Sequence, residues 1–534
     1  MGPRPPRGTL AATPREARCI SALPRILLAL TSGGLLAVPL HLPRAWFLAS
    51  VALVPWIVAA RSARPRLQAG LAIGVGLVYG AGVAGWAPSA LRSQGASPLG
   101  SWSAALLAVA AVKLPVFLGL GAAIALGRYA SLGCRCGIAA LTIFAIETWV
   151  SVSGVPWALL GHTQWGALGV AQLALVGGVP LISALLVASN LATAEWIGAA
   201  HRTERARAFP PATALAAAVF GLAACGVWVA EAIRATPASS GSSEWLVVQP
   251  NLPRGDRWVA RSQPLHLERV RDQTRRAFEA GSRRPDAVVL PENLLTTPLD
   301  GHRELEREVT DWVTALGTPV LTGMVMRSET AGRYRNAALW IAPRAGIVGR
   351  LDKERAVPVV ESGSGFPGRG IVSTLIGAAG RGLRVEEETS ALPLRGPHPV
   401  VVALCFEALL PSLVAGRRTQ DSVAIVHLAD DRWVGSETVT DHVLAMARYR
   451  AIEQRLPLLR VAHGGRTAHV DPYGRIARQL PLDRYASLRV KLPTTVVPPT
   501  HRERVAILAL PVGFGCVAGG LARSFVGRSR RHRG

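Results

Sequence analysis

Long apolar segments fill the first 235 residues of the chain, and the second half alternates short apolar runs with polar stretches. Each long segment approaches the roughly 20 residues that a helix needs to cross the hydrocarbon core of a bilayer. The pattern predicts about eight spans, which lie at about 24–41, 45–60, 67–87, 103–126, 137–153, 167–196, 211–233 and 505–525. The first span is not interpreted as a cleaved signal peptide, because no clean small-residue cleavage site follows it.

The polar half has the pattern of a layered α/β domain. Short apolar runs predict strands at 245–249, 287–290, 319–323, 400–404, 422–427 and 458–462. Helices are predicted at 264–280, 304–316 and 438–455. Residues 336–341 and 347–351, joined by a turn, predict a hairpin. The chain therefore divides into 1–23 (basic cytoplasmic tail), 24–233 (seven-span membrane domain), 234–243 (linker), 244–500 (catalytic domain), 505–525 (eighth span) and 526–534 (basic cytoplasmic tail).

The charge of the chain fits a membrane protein better than a nucleic-acid-binding protein. The formal net charge is +25, but the basic residues are nearly all arginine and many flank apolar runs. No zinc-knuckle spacing or lysine-rich tail is present, so no nucleic acid partner is expected. Arg61, Arg128 and Arg135 belong to the loops of one side, whereas the other side holds only Arg44 and Arg92. The positive-inside rule then predicts that the polar domain lies outside the cytoplasm.

Three residues in the polar half could carry chemistry. Glu292, Lys353 and Cys405 each stand at or just past the end of an apolar run. A thiol is mostly protonated at neutral pH, so it needs a base, which a partly desolvated carboxylate can provide. A nearby lysine would stabilise both a thiolate and an oxyanion. Taken singly, these residues are more ordinarily a loop carboxylate, a solvated charge and a core thiol.

The order and local setting of these residues resemble the nitrilase (carbon–nitrogen hydrolase) superfamily, which has an αββα sandwich. The settings are PEN around Glu292, DK at Lys353 and CFE at Cys405. Seven spans, such a domain and a final span together resemble the apolipoprotein N-acyltransferase family. Further matching stretches are VQPNLP at 248–253, LDKERAVP at 351–358, ADDRWVG at 429–435, MARYRAIE at 446–453 and GVPWALLGHTQ at 154–164.

The resemblance implies a ping-pong acyl transfer. Glu292 would be the general base, Lys353 the oxyanion stabiliser and Cys405 the nucleophile. Cys405 would take the sn-1 acyl chain of a phospholipid as a thioester, and the α-amine of a diacylglyceryl-cysteine lipoprotein would then accept it. We also expect a monomer without a cofactor, and no metal site, because the twelve histidines show no HExxH or paired spacing. It would be a multi-pass protein of the bacterial inner (cytoplasmic) membrane, with the catalytic domain on the periplasmic or extracytoplasmic face.

Four supporting positions are carried over in the same way. Glu361 would be a supporting carboxylate, Glu407 a structural partner of the site, and Trp258 a neighbour of the acyl-binding site. Phe406 stands where the family usually has tyrosine, so it cannot donate a phenolic hydrogen bond. The loop that ends at Glu361 and the ADDRW stretch also depart from the family pattern. These departures bear on substrate preference and rate.

Two other functions use the same residues. A membrane-tethered amidase or nitrilase-type hydrolase would use the triad with water as acceptor, and a catalytically weak homologue would bind lipoproteins without acylating them. The intact triad argues against the second. A transporter is disfavoured, because the polar residues concentrate outside the spans. Lys113, inside the fourth span, is interpreted as a structural partner of Glu147 rather than as a transport site.

Overall fold

The computed structural model describes residues 22–93, 95–153, 155–200, 241–253, 259–330, 333–357, 361, 394, 396–431 and 434–495. The predicted seventh and eighth spans, both tails, most of the linker and Trp258 lie outside the described residues.

Membrane-compatible helices form the N-terminal half. The α-helices are α1 (Ala22–His41), α2 (Val54–Ala60), α3 (Pro65–Ala84), α4 (Ala87–Ser93), α5 (Pro98–Gly127), α6 (Leu132–Ser153), α7 (Leu168–Ala171) and α8 (Ala174–Ala200). Within the described residues, six helical stretches are long and apolar enough to cross a membrane. They coincide with the first six predicted spans.

Two of these spans are less regular than the hydrophobic pattern predicted. The second combines a 3₁₀ helix, Pro43–Ser50, with the short α2. A proline stands in the first turn of each piece, where its missing N–H removes no helical hydrogen bond. In the sixth, α8 is kinked at Gly177 and Gly178, and the φ of +64° at Gly178 favours glycine.

The described residues of the polar half form two sheets. The strands are β1 (Ser242–Gln249), β2 (Ala287–Val289), β3 (Val320–Arg327), β4 (Tyr334–Ala342), β5 (Gly346–Asp352), β6 (Val400–Leu404), β7 (Ala424–Ala429), β8 (Leu458–Ala462), β9 (Ala468–Val470), β10 (Ile476–Gln479) and β11 (Ala486–Pro493). The helices that pack on them are α9 (Gln263–Glu279), α10 (Arg303–Leu316), α11 (Pro411–Gly416) and α12 (Glu437–Gln454). The predicted hairpin is the β4–β5 pair, and β9, β10 and β11 were not predicted.

Strand order fixes where the strand ends meet. One sheet has the order β11-β1-β2-β3-β4-β5, and the other has the order β10-β9-β8-β7-β6. In the first sheet β1, β2 and β3 are parallel, and the two antiparallel pairings that follow give β5 the direction of β3. In the second, β6, β7 and β8 are parallel. The carboxyl ends of β2 and β5 therefore share one edge of the first sheet.

Alternating side chains build an αββα sandwich, as predicted. Trp245, Val289 and Trp340 of the first sheet pack against Val402 and Leu428 of the second to form the central core. The opposite face of the first sheet packs on α9 and α10. The opposite face of the second sheet packs on α11 and α12. This follows from the period of two along a strand, which sends neighbouring side chains to opposite faces.

Helix α12 joins the α/β domain to the membrane helices. Tyr449 and Ile452 of α12 are buried in the main core of the membrane bundle. The Tyr449 hydroxyl donates a hydrogen bond to the Gly161 carbonyl (3.1 Å). Arg455 Nη1 donates to Gln172 Oε1 (2.7 Å). The α/β domain is thus packed directly on the bundle at the end where residues 155–164 lie.

Candidate active site

The loop after β2 positions Glu292. It is held against β3 by two backbone hydrogen bonds, from Gly323 N to Pro291 O (3.1 Å) and from Leu294 N to Gly323 O (2.8 Å). A side chain at Gly323 could not fit, because its Cβ would lie 2.6 Å from the Glu292 Cα. The Glu292 carboxylate is 1% exposed, and its Oε1 accepts a 2.6 Å hydrogen bond from Asn336 Nδ2.

Lys353 follows β5 at the same edge of the sheet. Its backbone N–H donates to the carbonyl of Asn336 on β4 (2.8 Å), which continues the strand pairing by one residue. The side chain is fully buried. Its Nζ lies 3.0 Å from Glu292 Oε1 and 2.9 Å from Glu361 Oε2. Two carboxylates therefore compensate the one buried ammonium.

Cys405 lies at the carboxyl end of β6 and begins a 3₁₀ turn, Cys405–Leu409. Its φ is +50°, a left-handed conformation that costs a non-glycine residue about 1–2 kcal/mol. The Cys405 carbonyl accepts a 2.9 Å hydrogen bond from His427 Nε2, on the neighbouring strand β7. Backbone strain that is held in place by neighbouring groups is a feature of functional sites.

Glu407 connects the cysteine turn to the segment after Lys353. Its carboxylate is fully buried. One oxygen, Oε2, accepts the backbone N–H of Leu404 (2.9 Å), and Oε1 accepts the backbone N–H of Glu354 (2.7 Å). Arg417, itself 4% exposed, donates to both oxygens at 2.7 and 3.0 Å. Glu407 thus contacts both chain segments of the site without being one of the three candidate reactive groups.

An apolar cavity of roughly 220 Å³ lies beside Cys405. One wall comes from the α/β domain and includes Cys405, Phe406 and His427; the other comes from α3, α4 and α5 and includes Trp86 and Ala108. The cavity lies between the membrane helices and the candidate reactive groups. Its shape and apolar lining suit a hydrocarbon chain more than a small polar amide.

Burial gives the three candidate reactive groups unusual protonation behaviour. It raises the pKa of the Glu292 carboxyl to about 7, although the ammonium of Lys353 opposes this shift. Burial also disfavours the Lys353 ammonium, but the carboxylates of Glu292 and Glu361 outweigh it and hold its pKa well above the usual value. Burial, reinforced by the charge of Glu292, raises the pKa of the Cys405 thiol well above its usual range. Near neutral pH the site therefore holds a thiol, an ammonium and a carboxyl that titrates.

The structure brings together most of the residues that the sequence analysis singled out. Glu292, Lys353, Glu361 and Cys405 interact electrostatically with one another. Phe406 lines the cavity. Trp258, most of the loop before Glu361 and two residues of the ADDRW stretch lie outside the described residues.

Three supporting residues were missed by the sequence analysis. They are Asn336, Arg417 and His427. His463, which stands where the family usually has asparagine, also supports the site, and its Nε2 donates to the Glu292 carbonyl at 2.7 Å. Burial and the charge of Arg460 hold the pKa of His427 well below its usual value, so its imidazole is neutral. No local motif marks these residues, because each acts on a segment that is distant in sequence or on a neighbouring strand.

Lys113 and Glu147 have a different arrangement from the direct pair that was expected. Lys113 Nζ donates to the carbonyls of Trp157 (2.5 Å) and Ala158 (2.9 Å), and Glu147 Oε1 accepts the backbone N–H of Leu160 (2.8 Å). Within the part of the chain that the structure describes, both charged groups bind the same loop, and they also interact electrostatically with each other. That loop contacts the α/β domain, since the Ala158 N–H donates to the Met446 sulfur at 3.4 Å.

Comparison with known proteins finds two family matches. Residues 32–192 match the apolipoprotein N-acyltransferase N-terminal domain, and residues 247–492 match the carbon–nitrogen hydrolase family. Similar curated proteins named apolipoprotein N-acyltransferase come from Geobacter metallireducens (26% identity, covering 88% of this chain and 89% of that protein) and Pseudomonas syringae (29%, 86% and 88%).

Solved structures are similar to the α/β half. They include an amidase from Nesterenkonia sp. (13% identity, TM-score 0.36, covering 48% of this chain and 94% of the amidase). A carbon–nitrogen hydrolase from Helicobacter pylori has 11% identity and a TM-score of 0.38, and the match covers 51% of this chain and 93% of that chain.

Proposed function

We infer that the chain belongs to the apolipoprotein N-acyltransferase family of the carbon–nitrogen hydrolase superfamily and is a membrane acyltransferase that acts on lipoproteins. On that premise, we propose that it transfers an acyl chain from a phospholipid through a thioester on Cys405. The acceptor is the N-terminal amine of a diacylglyceryl-cysteine lipoprotein. Glu292 is the general base and Lys353 stabilises the oxyanion.

In the first half-reaction the Cys405 thiol attacks the sn-1 ester carbonyl of the phospholipid. Because the pKa of the Cys405 thiol is raised, Cys405 is protonated before it attacks. Its proton passes to Glu292 as the C–S bond forms. The oxyanion of the tetrahedral intermediate is stabilised by the Lys353 ammonium. When the intermediate collapses, the C–O bond breaks and the leaving alkoxide takes the proton from Glu292. The products are a lysophospholipid and the acyl-cysteine.

In the second half-reaction the neutral α-amine of the lipoprotein attacks the thioester carbonyl. Glu292 accepts a proton from the attacking amine, and Lys353 again stabilises the oxyanion. Collapse breaks the C–S bond, and the Cys405 sulfur leaves and recovers the proton from Glu292. The two carboxylates around Lys353 keep it charged, so it stabilises anions rather than transferring protons.

The observation that carries this proposal is the apolar cavity at Cys405. Its walls come from both the α/β domain and α3, α4 and α5, so a chain that leaves the bilayer between these helices can reach the sulfur. Burial of a hydrocarbon chain in such a cavity contributes about 0.8 kcal/mol per methylene. A hydrolase of small soluble amides would not need the apolar wall that α3, α4 and α5 form.

The direct test is an intact-mass measurement. The purified protein is incubated with phosphatidylethanolamine and phosphatidylglycerol of defined sn-1 chains, and an adduct with the mass of the sn-1 acyl group is expected. Cys405→Ala should give none, whereas Cys134→Ala, a control at an exposed cysteine, should give the full adduct. Absence of any adduct from both phospholipids would refute the thioester step.

A second measurement separates transfer from hydrolysis. The preformed acyl-enzyme is mixed with a diacylglyceryl-cysteine peptide or with buffer alone. Loss of the adduct is expected to accelerate with peptide concentration and to yield the N-acylated peptide in equal amount. Rapid loss in buffer, with free fatty acid as the product, would instead favour the membrane-tethered hydrolase.

We also propose that the protein is a monomer in the bacterial cytoplasmic membrane, with its catalytic domain on the extracytoplasmic face. Arg61, Arg128 and Arg135 lie at one end of the bundle, and the α/β domain packs at the other, which agrees with the positive-inside rule. In spheroplasts an impermeant maleimide should leave Cys134 unlabelled until the membrane is permeabilised. Labelling of Cys134 in intact spheroplasts would show the opposite orientation.

A single chain supplies the whole triad, so light scattering in detergent should give the mass of one chain.

A further inference from the structure

A second cavity lies between the membrane helices and the α/β domain. Its volume is roughly 180 Å³. One wall comes from α6 and from the kink of α8 at Gly177 and Gly178. The other wall comes from the α/β domain, through Leu409, Pro411 and α12. The cavity is therefore built from the same two halves of the chain as the cavity beside Cys405.

The two cavities share a partition. Leu409, at the end of the 3₁₀ turn that begins at Cys405, lines both of them. In the loop after α6, Val155 and Trp157 line the first cavity, whereas Pro156 lines the second. Four residues of 3₁₀ helix rise about 8 Å. The second cavity therefore begins within about 8 Å of the candidate nucleophile, a distance that the glycerol of a lipid and its first methylenes can span.

The lining of the second cavity is mainly apolar, but it contains a buried guanidinium. Arg450 of α12 is 2% exposed, and it donates to the Leu409 carbonyl (3.1 Å) and to Glu453 Oε1 (2.7 Å). Its Nε has no hydrogen-bond partner among the described residues, and a buried N–H without an acceptor is costly. Because the charge of Arg450 is already paired with Glu453, a neutral oxygen such as an ester carbonyl suits this N–H better than a phosphate.

We propose that the second cavity binds the sn-2 acyl chain of the donor phospholipid. This inference rests on the proposed acyl transfer, in which the sn-1 chain occupies the cavity beside Cys405 while its ester is attacked. The sn-2 ester is attached to the next glycerol carbon, so the phospholipid straddles Leu409 and the Nε–H of Arg450 donates to the sn-2 carbonyl. Thr148 and Val152 of α6 line the cavity and are also exposed at the surface of the bundle, where the chain enters from the bilayer.

The test compares a two-chain donor with a one-chain donor in the full-length protein. Val152→Trp and Thr148→Trp each place an indole at the mouth of the second cavity. The matched control is Leu141→Trp, which changes an exposed aliphatic residue earlier on α6 that does not line the cavity. Each protein is incubated with 1-palmitoyl-2-oleoyl-phosphatidylglycerol or with 1-palmitoyl-lysophosphatidylglycerol. Intact-mass measurements then follow the rate of palmitoylation of Cys405.

Both cavity variants should react about tenfold more slowly with the two-chain donor and at the unchanged rate with the one-chain donor. A tenfold loss corresponds to about 1.4 kcal/mol, which is the burial of about two methylenes. Leu141→Trp should react with both donors as the unaltered protein does. Equal losses with the two donors, or no loss with the two-chain donor, would overturn the proposal. A loss confined to transfer from the acyl-enzyme to a diacylglyceryl peptide would also overturn it, because the cavity would then bind the acceptor.

A second measurement needs no substitution. Donors that share an sn-1 palmitoyl chain and carry sn-2 chains from acetyl to palmitoyl should acylate Cys405 faster as the sn-2 chain lengthens. In Val152→Trp this dependence should disappear. A rate that does not depend on the sn-2 chain in the unaltered protein would overturn the proposal. Absence of the adduct with the one-chain donor as well would instead refute the thioester step, and this inference with it.

Discussion

The buried carboxylate of Glu407 offers the sharpest test of how the site is held together. The change Glu407→Gln keeps the shape of the side chain but replaces one oxygen with an NH₂ group. Oε2 accepts the Leu404 N–H and Arg417 Nη1, and Oε1 accepts the Glu354 N–H, the Arg355 N–H and Arg417 Nη2. Whichever oxygen is lost, at least one backbone N–H and one guanidinium N–H then face another donor.

The expected cost follows from these contacts. A lost hydrogen bond to a charged group costs about 1.5–3 kcal/mol, and a buried N–H left without an acceptor costs about 1–3 kcal/mol. Because Arg417 is 4% exposed, water cannot replace its partner, and the total falls at about 3–5 kcal/mol, the range for breaking a buried ion pair. For a domain of this size, each kcal/mol lowers the melting temperature by about 2–4 °C. Glu407→Gln should therefore lower it by roughly 6–20 °C.

The assay measures thioester formation at 25 °C after incubation at increasing temperature. The matched control is Glu354→Gln, which removes a carboxylate from the same arginine at a site where the carboxylate is 24% exposed. That pair should be worth less than about 1 kcal/mol because water screens it. If Glu407→Gln shifts the inactivation midpoint no more than Glu354→Gln does, the structural role assigned to Glu407 is wrong.

Three further predictions concern the reaction itself. Because Glu292 accepts a proton only when ionised and its pKa is about 7, thioester formation should be fast above pH 7 and decline below it; a midpoint near pH 4 would contradict the assignment. Ala108→Trp, which fills the cavity, should abolish acylation by long-chain phospholipids but spare acetylation of Cys405 by p-nitrophenyl acetate. The control Leu106→Trp changes an exposed position of the same helix and should retain both activities. Equal losses in the two variants would show that the cavity does not bind the acyl chain. His427→Ala removes the donor to the Cys405 carbonyl and should slow single-turnover acylation by about 5–150-fold; since the imidazole is neutral, the midpoint of the pH profile should not move, and a shifted midpoint would instead make His427 a titrating group.

The sequence predicts well those features that depend on neighbouring residues. The strand at 458–462 is predicted with its observed ends, because a short apolar run fits a strand buried on both faces. The edge strand β11 was missed although it pairs with β1 along eight residues. Its partner lies more than 230 residues earlier, and no short window of sequence contains that pairing.

The candidate site likewise combines features that the sequence predicts with features that depend on distant segments. Residue type, chain order and position at strand ends indicated Glu292, Lys353 and Cys405 as candidates, and the resemblance to the nitrilase superfamily supplied their expected roles. The sequence did not predict that Lys113 and Glu147 both bind the 157–160 loop, nor that Arg61 and Arg135 share the carboxylate of Glu195.

What the sequence alone determined is therefore the membrane half, the layered α/β half and the three candidate reactive residues, since hydrophobic periodicity and side-chain chemistry are local properties. The tertiary structure decided the contacts of Glu407, the raised pKa of Glu292 and the cavity between the two halves. Each of these depends on which distant segments lie together and how much water they exclude, and that information is shared among residues far apart in the chain.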